Sequence, residues 1–245
     1  MSQFSHLAAC YDLLIDQSVY HRFSKRITAL LRGAGICDGI LLELCCGTGS
    51  LTKLLSEQGY EMISCDISPE MLDVAREKCA RLPVPPVLIC QPADELDLYG
   101  TVRGAVCCLD SINYFTGLRE LKRVFSRVSL FLEPGGLFLF DVKSCGMFAE
   151  LNGTCSIQET DEFFCAWQYG FDTSSGRGMH QVDIFKKSGD KYSRFTEIHE
   201  QRCYSVDALK NALLGAGFAK CDVYDGFTKN RAKKETGRLL FAARK

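Results

Sequence analysis

At 245 residues, with 47% hydrophobic side chains and no low-complexity tract, the chain is long enough to bury one large core. Its 29 basic and 30 acidic residues leave a formal net charge of −1, which argues against nucleic acid as a partner, and no apolar run reaches membrane-spanning length. Asp12 and Asp16 interrupt the apolar residues near the start, so no secretory leader is read there and a cytoplasmic protein is expected.

A helical region is predicted from about His6 to Leu31. The run LLELCCGTG, Leu41 to Gly49, follows. A short apolar stretch ending in an acid and then in spaced glycines reads as a buried parallel strand turning tightly into a helix. Gly47 and Gly49 suit that turn because they lack a Cβ, and they let a ligand approach the backbone. SLTKLLSEQG has leucines at helical spacing, with Gly59 at the stop position. EMISCDIS is then a second strand, and Asp66 at its end is placed to accept from both hydroxyls of a ribose. A nicotinamide dinucleotide motif would need a third glycine at position 52, which is Thr52.

The acid and glycines instead resemble the E-x-G-x-G-x-G motif of class I S-adenosylmethionine-dependent methyltransferases, with Glu43 as the acid and Cys45 where the family has its first glycine. SPEMLDVAREKC is similar to the family's second crossover helix, with Ser68 as N-cap, Pro69 at the first helical position and Met71 toward the cofactor. QPADELDL resembles the adenine-binding turn, in which Asp94 accepts from the adenine amino group and Ala93 supplies a backbone donor. GAVCCLDSINYF resembles the strand ending at the reaction centre, and FLEPGGLFLFDV the helix end, turn and fifth strand. AACYDLLIDQSVY resembles the Y-D start in which a tyrosine, here Tyr11, folds over the cofactor; a plain amphipathic helix with Tyr11 in the core is the alternative.

From about Thr154 to Tyr204 short aromatic and β-branched segments alternate with turns such as DTSSGRG and KSGDK, predicting an antiparallel meander of about four strands. SVDALKNALLGAGF restores a helix capped by Ser205, and CDVYDGF and RLLFAARK supply two last strands. The resemblance therefore implies a single α/β domain, a Rossmann-like three-layer sandwich with a mostly parallel seven-stranded sheet and an antiparallel C-terminal hairpin. Residues 1–146 and 205–245 would form its core and 147–204 a small β insertion, or lid, over the substrate pocket.

The cofactor implied is S-adenosylmethionine, held by Tyr11, Glu43, Cys45, Gly47, Gly49, Asp66, Ile67, Met71, Ala93, Asp94 and Leu109. The reaction implied is in-line methyl transfer to nitrogen or oxygen of a small molecule by a monomer or homodimer. An RNA- or protein-directed enzyme and a non-catalytic binding module are the alternatives, the former favoured if the basic loop Lys229 to Lys234 lay beside the cleft.

Catalytic candidates are Asp110 and Tyr114, after the fourth strand at the ligand-binding edge of the sheet, and His199 in EIHEQRCYS. Substrate candidates are Asn113, Trp167, Tyr169, Arg202 and Tyr204. Alternation along a strand places His199 on one face and Arg202 and Tyr204 on the other. Trp167 and Tyr169 either wall a cationic ligand or pack the meander onto the main sheet. The fourteen cysteines show no metal-ligand spacing, so no metal is expected, and they read as small buried hydrophobes in a reducing compartment.

Overall fold

The computed structural model describes Phe4 and residues 6–245. Strands β1 (Ile40–Leu44), β2 (Glu61–Asp66), β3 (Val87–Cys90), β4 (Val102–Cys107) and β5 (Leu132–Lys143) run parallel. Strands β10 (Lys220–Asp225) and β11 (Arg238–Arg244) close the sheet as an antiparallel hairpin, giving the order β10-β11-β5-β4-β1-β2-β3. Strands buried on both faces read as continuous apolar runs, and β5 shows why. Its Leu137 and Leu139 join Phe23, Ile27 and Leu31 of α2 (Ser18–Gly33) and Leu51 and Leu55 of α3 (Ser50–Ser56) on one side. Its Phe138 and Phe140 meet Phe125 of α5 (Leu118–Phe131) on the other, with ring centroids 5.9 and 5.3 Å apart.

Helix α4 (Pro69–Cys79) starts as expected, with Ser68 Oγ accepting from the Met71 amide, and α7 (Val206–Gly215) starts the same way on Ser205. The predicted first helix is broken. After a single turn at Leu7–Ala9, α1 (Tyr11–Leu14) ends at extended Ile15 before α2 begins.

The meander forms a separate antiparallel sheet of four strands, β6 (Cys155–Glu159), β7 (Phe163–Asp172), β8 (Arg177–Ser188) and β9 (Lys191–Arg202). Its apolar face does not lie on the main sheet. Phe163, Cys165, Val182 and Ile184 cover Leu7, Cys10 and Leu14, so the N-terminal segment is a strap between core and meander. Two carboxylates pin that strap. Glu197 accepts from the amides of Phe4, His6 and Leu7, while Asp12 accepts from Thr48 Oγ1 at 2.7 Å and pairs with Lys78 at 2.7 Å.

The exit of β9 is fastened to the core. Buried Asn113 donates to the Arg202 carbonyl and accepts from the Lys143 amide, Arg202 donates to the Thr116 carbonyl, and the Tyr204 hydroxyl donates to the Phe115 carbonyl. A disulfide joins Cys203 to Cys145 at the start of α6 (Cys145–Leu151), correcting the expectation of reduced cysteines for this pair. Of the twelve free cysteines, Cys10, Cys46, Cys65, Cys79, Cys107, Cys108 and Cys165 are buried, as small hydrophobes. Loop closure across 58 residues restricts the unfolded chain by about 4 kcal/mol. Converting both cysteines to serine is expected to lower the urea midpoint accordingly. Reductant should move the wild-type protein to the same midpoint and leave the double variant unmoved.

No described helix is long and apolar enough to cross a membrane, and no group of three or more potential metal ligands occurs among the described residues.

Candidate functional site

The loop after β1 is built on left-handed backbone, with φ of +53° at Cys45, +52° at Gly47 and +73° at Gly49. A Cβ at Gly49 would come 2.9 Å from the Ala75 Cβ, so this glycine lets α3 start against α4. At Gly47 the nearest atom is Met71 Sδ at 4.0 Å; its bare Cα faces open space. Cys45 bears the usual penalty of a side chain in this region, about 1–2 kcal/mol.

Asp66 is tied to that loop. The Gly47 amide donates to Oδ2 at 2.8 Å and the Ser68 amide to Oδ1 at 2.9 Å, which leaves the outer lone pairs of the carboxylate facing a cavity of about 240 Å³. Burial raises the Asp66 carboxyl, and the Ser68 and Gly47 amides pull it back. Cys45, Gly47, Ile67, Met71, Ala93 and Asp94 share the wall with Tyr11 and Tyr114. Asp94, in the single turn Ala93–Glu95, receives Arg123 through both Nε (3.1 Å) and Nη2 (2.5 Å) on one oxygen, leaving the other open.

Glu43 stands behind the loop and is not on the cavity wall. Its carboxyl accepts from Thr52 Oγ1, which shares a hydrogen bond with Ser64, so the threonine at position 52 ties β1, α3 and β2 together. Burial pushes Glu43 from 4.5 to about 8, with Thr52 opposing. The folded protein therefore keeps a proton that the unfolded chain loses near pH 4.5, and stability from this group falls as pH rises through about 8. Glu43→Gln has no such proton to lose. Its melting temperature is expected to drop less than that of the wild type between mildly acid and alkaline buffer, measured by calorimetry; parallel curves would contradict the assignment.

A second cavity, of about 350 Å³, shares Phe4, Tyr11, Ser111 and Tyr114 with the first. The two meet at that wall. Trp167 and Tyr169 of β7, His180 of β8, Lys143 at the end of β5 and Arg238 at the start of β11 line it with Leu109 and Asp110. Leu109 and Asp110 are consecutive left-handed residues, φ +58° and +52°, and the Asp110 amide donates to Asp141 Oδ2 at 3.1 Å, which aims Asp110 inward.

Arg238 and Lys143 are directly opposed in the β5–β11 register. Like charges so placed repel, and two acids compensate them. Asp110 lies 3.0 Å from Lys143 Nζ and 3.0 Å from Arg238 Nη2, and Arg238 Nη1 pairs with fully buried Asp141. Gln201 bridges, donating to Asp110 at 3.0 Å and accepting from Lys143 at 3.1 Å. Burial alone would raise Asp110, but Lys143 and Arg238 overcome it and hold the carboxyl at about 2. Asp141 is pushed up to about 6 by burial, Arg238 opposing. Burial, with Lys143 adding, pushes His180 down to about 3, and burial carries the Tyr11 and Tyr114 phenols above their usual range. At neutral pH the imidazole is neutral and the phenols are protonated.

Of the remaining sequence-predicted residues, Gly49 and Glu43 support the loop from outside the first cavity. His199 is fully buried, 4.5 Å from the Phe4 ring centroid and 3.3 Å from the Glu197 carboxylate, and lines neither cavity. Asn113, Arg202 and Tyr204 are spent on fastening β9. Sequence reasoning missed Phe4, Lys143, His180 and Arg238. Strands β5 and β11 did carry a signal for Lys143 and Arg238, since both lie at strand ends on the ligand-binding edge. None of the basic-loop residues Lys229 to Lys234 lines either cavity.

Residues 41–136 match the family model described as a methyltransferase domain. The chain is 32% identical to "Putative methyltransferase YqeM" of Bacillus subtilis (strain 168), over 97% of this chain and 95% of that protein. Among solved structures it is similar to an S-adenosylmethionine-dependent methyltransferase from Clostridium acetobutylicum ATCC 824, with 28% identity, a TM-score of 0.83 and coverage of 98% and 97% of the two chains. The fold alone is shared with the sugar N-methyltransferase KedS8 from Streptoalloteichus sp ATCC 53650, at 20% identity, TM-score 0.77 and coverage of 92% and 87%.

Proposed function

The chain belongs to the class I S-adenosylmethionine-dependent methyltransferases, and on that premise we propose that it methylates nitrogen or oxygen of a small molecule bound in the second cavity. The observation that carries this reading is the junction of a cavity bearing a ribose-type acid with an aromatic cavity across Tyr11 and Tyr114.

The residues of the first cavity fit the cofactor. Asp66 has free lone pairs for two vicinal hydroxyls, Gly47 presents bare backbone, exposed Ile67 offers an apolar face, and Asp94 has an open carboxylate oxygen for an amino donor. When bound there, S-adenosylmethionine supplies an activated methyl group on a sulfonium. The chain's own residues then do three things. Tyr11 and Tyr114 wall the junction and exclude water, the aromatic side chains orient the acceptor, and the Asp110–Lys143–Arg238–Asp141 cluster keeps the floor of the second cavity charged but compensated. In this reading residues 147–204 supply one wall of the acceptor cavity, residues 1–146 and 205–245 hold the cofactor, and the setting is the cytoplasm.

The test is transfer of label from methyl-tritiated S-adenosylmethionine to three separated fractions of a cell extract: small molecules, RNA and protein. Label confined to the small-molecule fraction is expected. Label in RNA or protein would replace this reading with a macromolecular acceptor, and tight cofactor binding without transfer to any fraction would make the protein a binding module.

A further inference from the structure

We propose that the acceptor is an uncharged amine and that His180 holds its nitrogen, accepting one N–H in a hydrogen bond so that the lone pair points across the Tyr11–Tyr114 junction. This deepens the methyltransferase reading above and rests on it.

His180 is 5% exposed, lines the second cavity, and no hydrogen bond reaches either ring nitrogen from any described residue. Among the other inward polar groups of the meander, His199 lines neither cavity, and Gln158, Gln201, Glu197 and Asp183 are occupied. Gln158 donates to the Leu14 carbonyl and accepts from Trp167, Gln201 serves the ion cluster, Glu197 pins the strap, and Asp183 is bound by Arg194 and Thr196. The ring nitrogens of His180 are not among the fully buried polar atoms, so they stay open to a ligand in the cavity. The orientation of the ring is set by packing. The Tyr169 ring meets the imidazole edge-on at 4.9 Å, the Phe148 ring lies at 6.4 Å, and His180 stands opposite His199 in the β8–β9 register.

The surrounding groups select nitrogen over oxygen. An alcohol must lose its proton as it attacks, and the groups lining the cavity are poor bases for it: both Asp110 oxygens are occupied by cations and Gln201, Asp16 takes a hydrogen bond from Ser18 on each oxygen and is held below the usual carboxylate range by them, His180 is too weak a base, and Tyr11 and Tyr114 keep their own protons. An amine needs none. Its nitrogen forms the new N–C bond with its lone pair, the carbon–sulfur bond breaks with its electron pair left on sulfur, and the positive charge passes from sulfur to nitrogen. The product leaves as an ammonium and gives up its proton in water.

Two readouts test this. The labelled small-molecule product is expected to bind a cation exchanger in acid and to leave it in alkali, as an amine does; label recovered as a neutral ether or an alkali-labile ester would overturn the choice of nitrogen. Trp167 is the sole tryptophan and lines this cavity, so its fluorescence reports occupancy. In protein saturated with S-adenosylhomocysteine, aniline is the probe, an amine that is uncharged at neutral pH. Its affinity is expected to fall about tenfold in His180→Phe and to return in His180→Gln, whose amide oxygen accepts, a difference of about 1.4 kcal/mol. Equal affinity in His180→Phe, or no response of Trp167 to the amine, would overturn the role of His180. Calorimetry of S-adenosylhomocysteine on the same variants should show no change, and its failure to bind the wild type would sink the methyltransferase reading itself.

Discussion

Asp66→Ala is expected to weaken S-adenosylhomocysteine binding by ~100-fold or more, enough to remove the heat signal in a calorimetric titration that is clear for the wild type. Two hydrogen bonds from ribose hydroxyls to a carboxylate are each worth about 1.5–3 kcal/mol, and the sum exceeds what a hundredfold requires. A second loss adds to the first. The same carboxylate orients the Gly47 and Ser68 amides, so removing it frees the loop that carries Cys45 and Gly47. Asp66→Asn keeps one acceptor oxygen and should fall between the two. Undiminished binding in Asp66→Ala would place the ribose elsewhere.

Arg238→Met should destabilise the protein by about 3–5 kcal/mol, because it leaves Asp141 fully buried without its cation and strips Asp110 of one of two. The deficit is pH-dependent, with a sign that follows from Asp141. Its folded pKa, about 6, lies above the ordinary 3.8, so its stabilising contribution is complete below 3.8 and lost as pH rises through about 6. Without Arg238 the carboxyl rises further. Urea unfolding should therefore show the largest gap between variant and wild type in alkaline buffer, and a smaller one below pH 6, where Asp141 takes up its proton. A gap that widened in acid would mean that Asp110 dominates the cluster.

The sequence made the alternating core legible because its signals are local. LLELCCGTG marks a strand and turn, Ser68-Pro69 and Ser205 mark helix starts, and the turns DTSSGRG and KSGDK mark the hairpins of the meander. Alternation along β9 was also readable, with His199 and Gln201 buried inward and Ile198 and Glu200 outward. What escaped was every feature made by distant segments meeting. Lys143, His180 and Arg238 come from three strands, and only the antiparallel seat of β11 beside β5 brings two of them face to face. The broken N-terminal helix is similar. Its apolar residues had helical spacing, but their partner was the meander, so the segment follows the surface it covers. Cys145 and Cys203 lie 58 residues apart, and no spacing rule joins them. Arg202 and Tyr204 had the chemistry of ligands, yet carbonyls of the turn after β4 claim them first.

The strap has a kinetic consequence. Phe4 and Tyr11 border both cavities, and Glu197 and Asp12 hold their segment down from opposite sides. Both products are expected to leave past this segment, whose lifting breaks the amide–carboxylate bonds on the meander side. Discharge of the two products is expected to be the slow stage of each cycle, seen as a first turnover faster than those that follow.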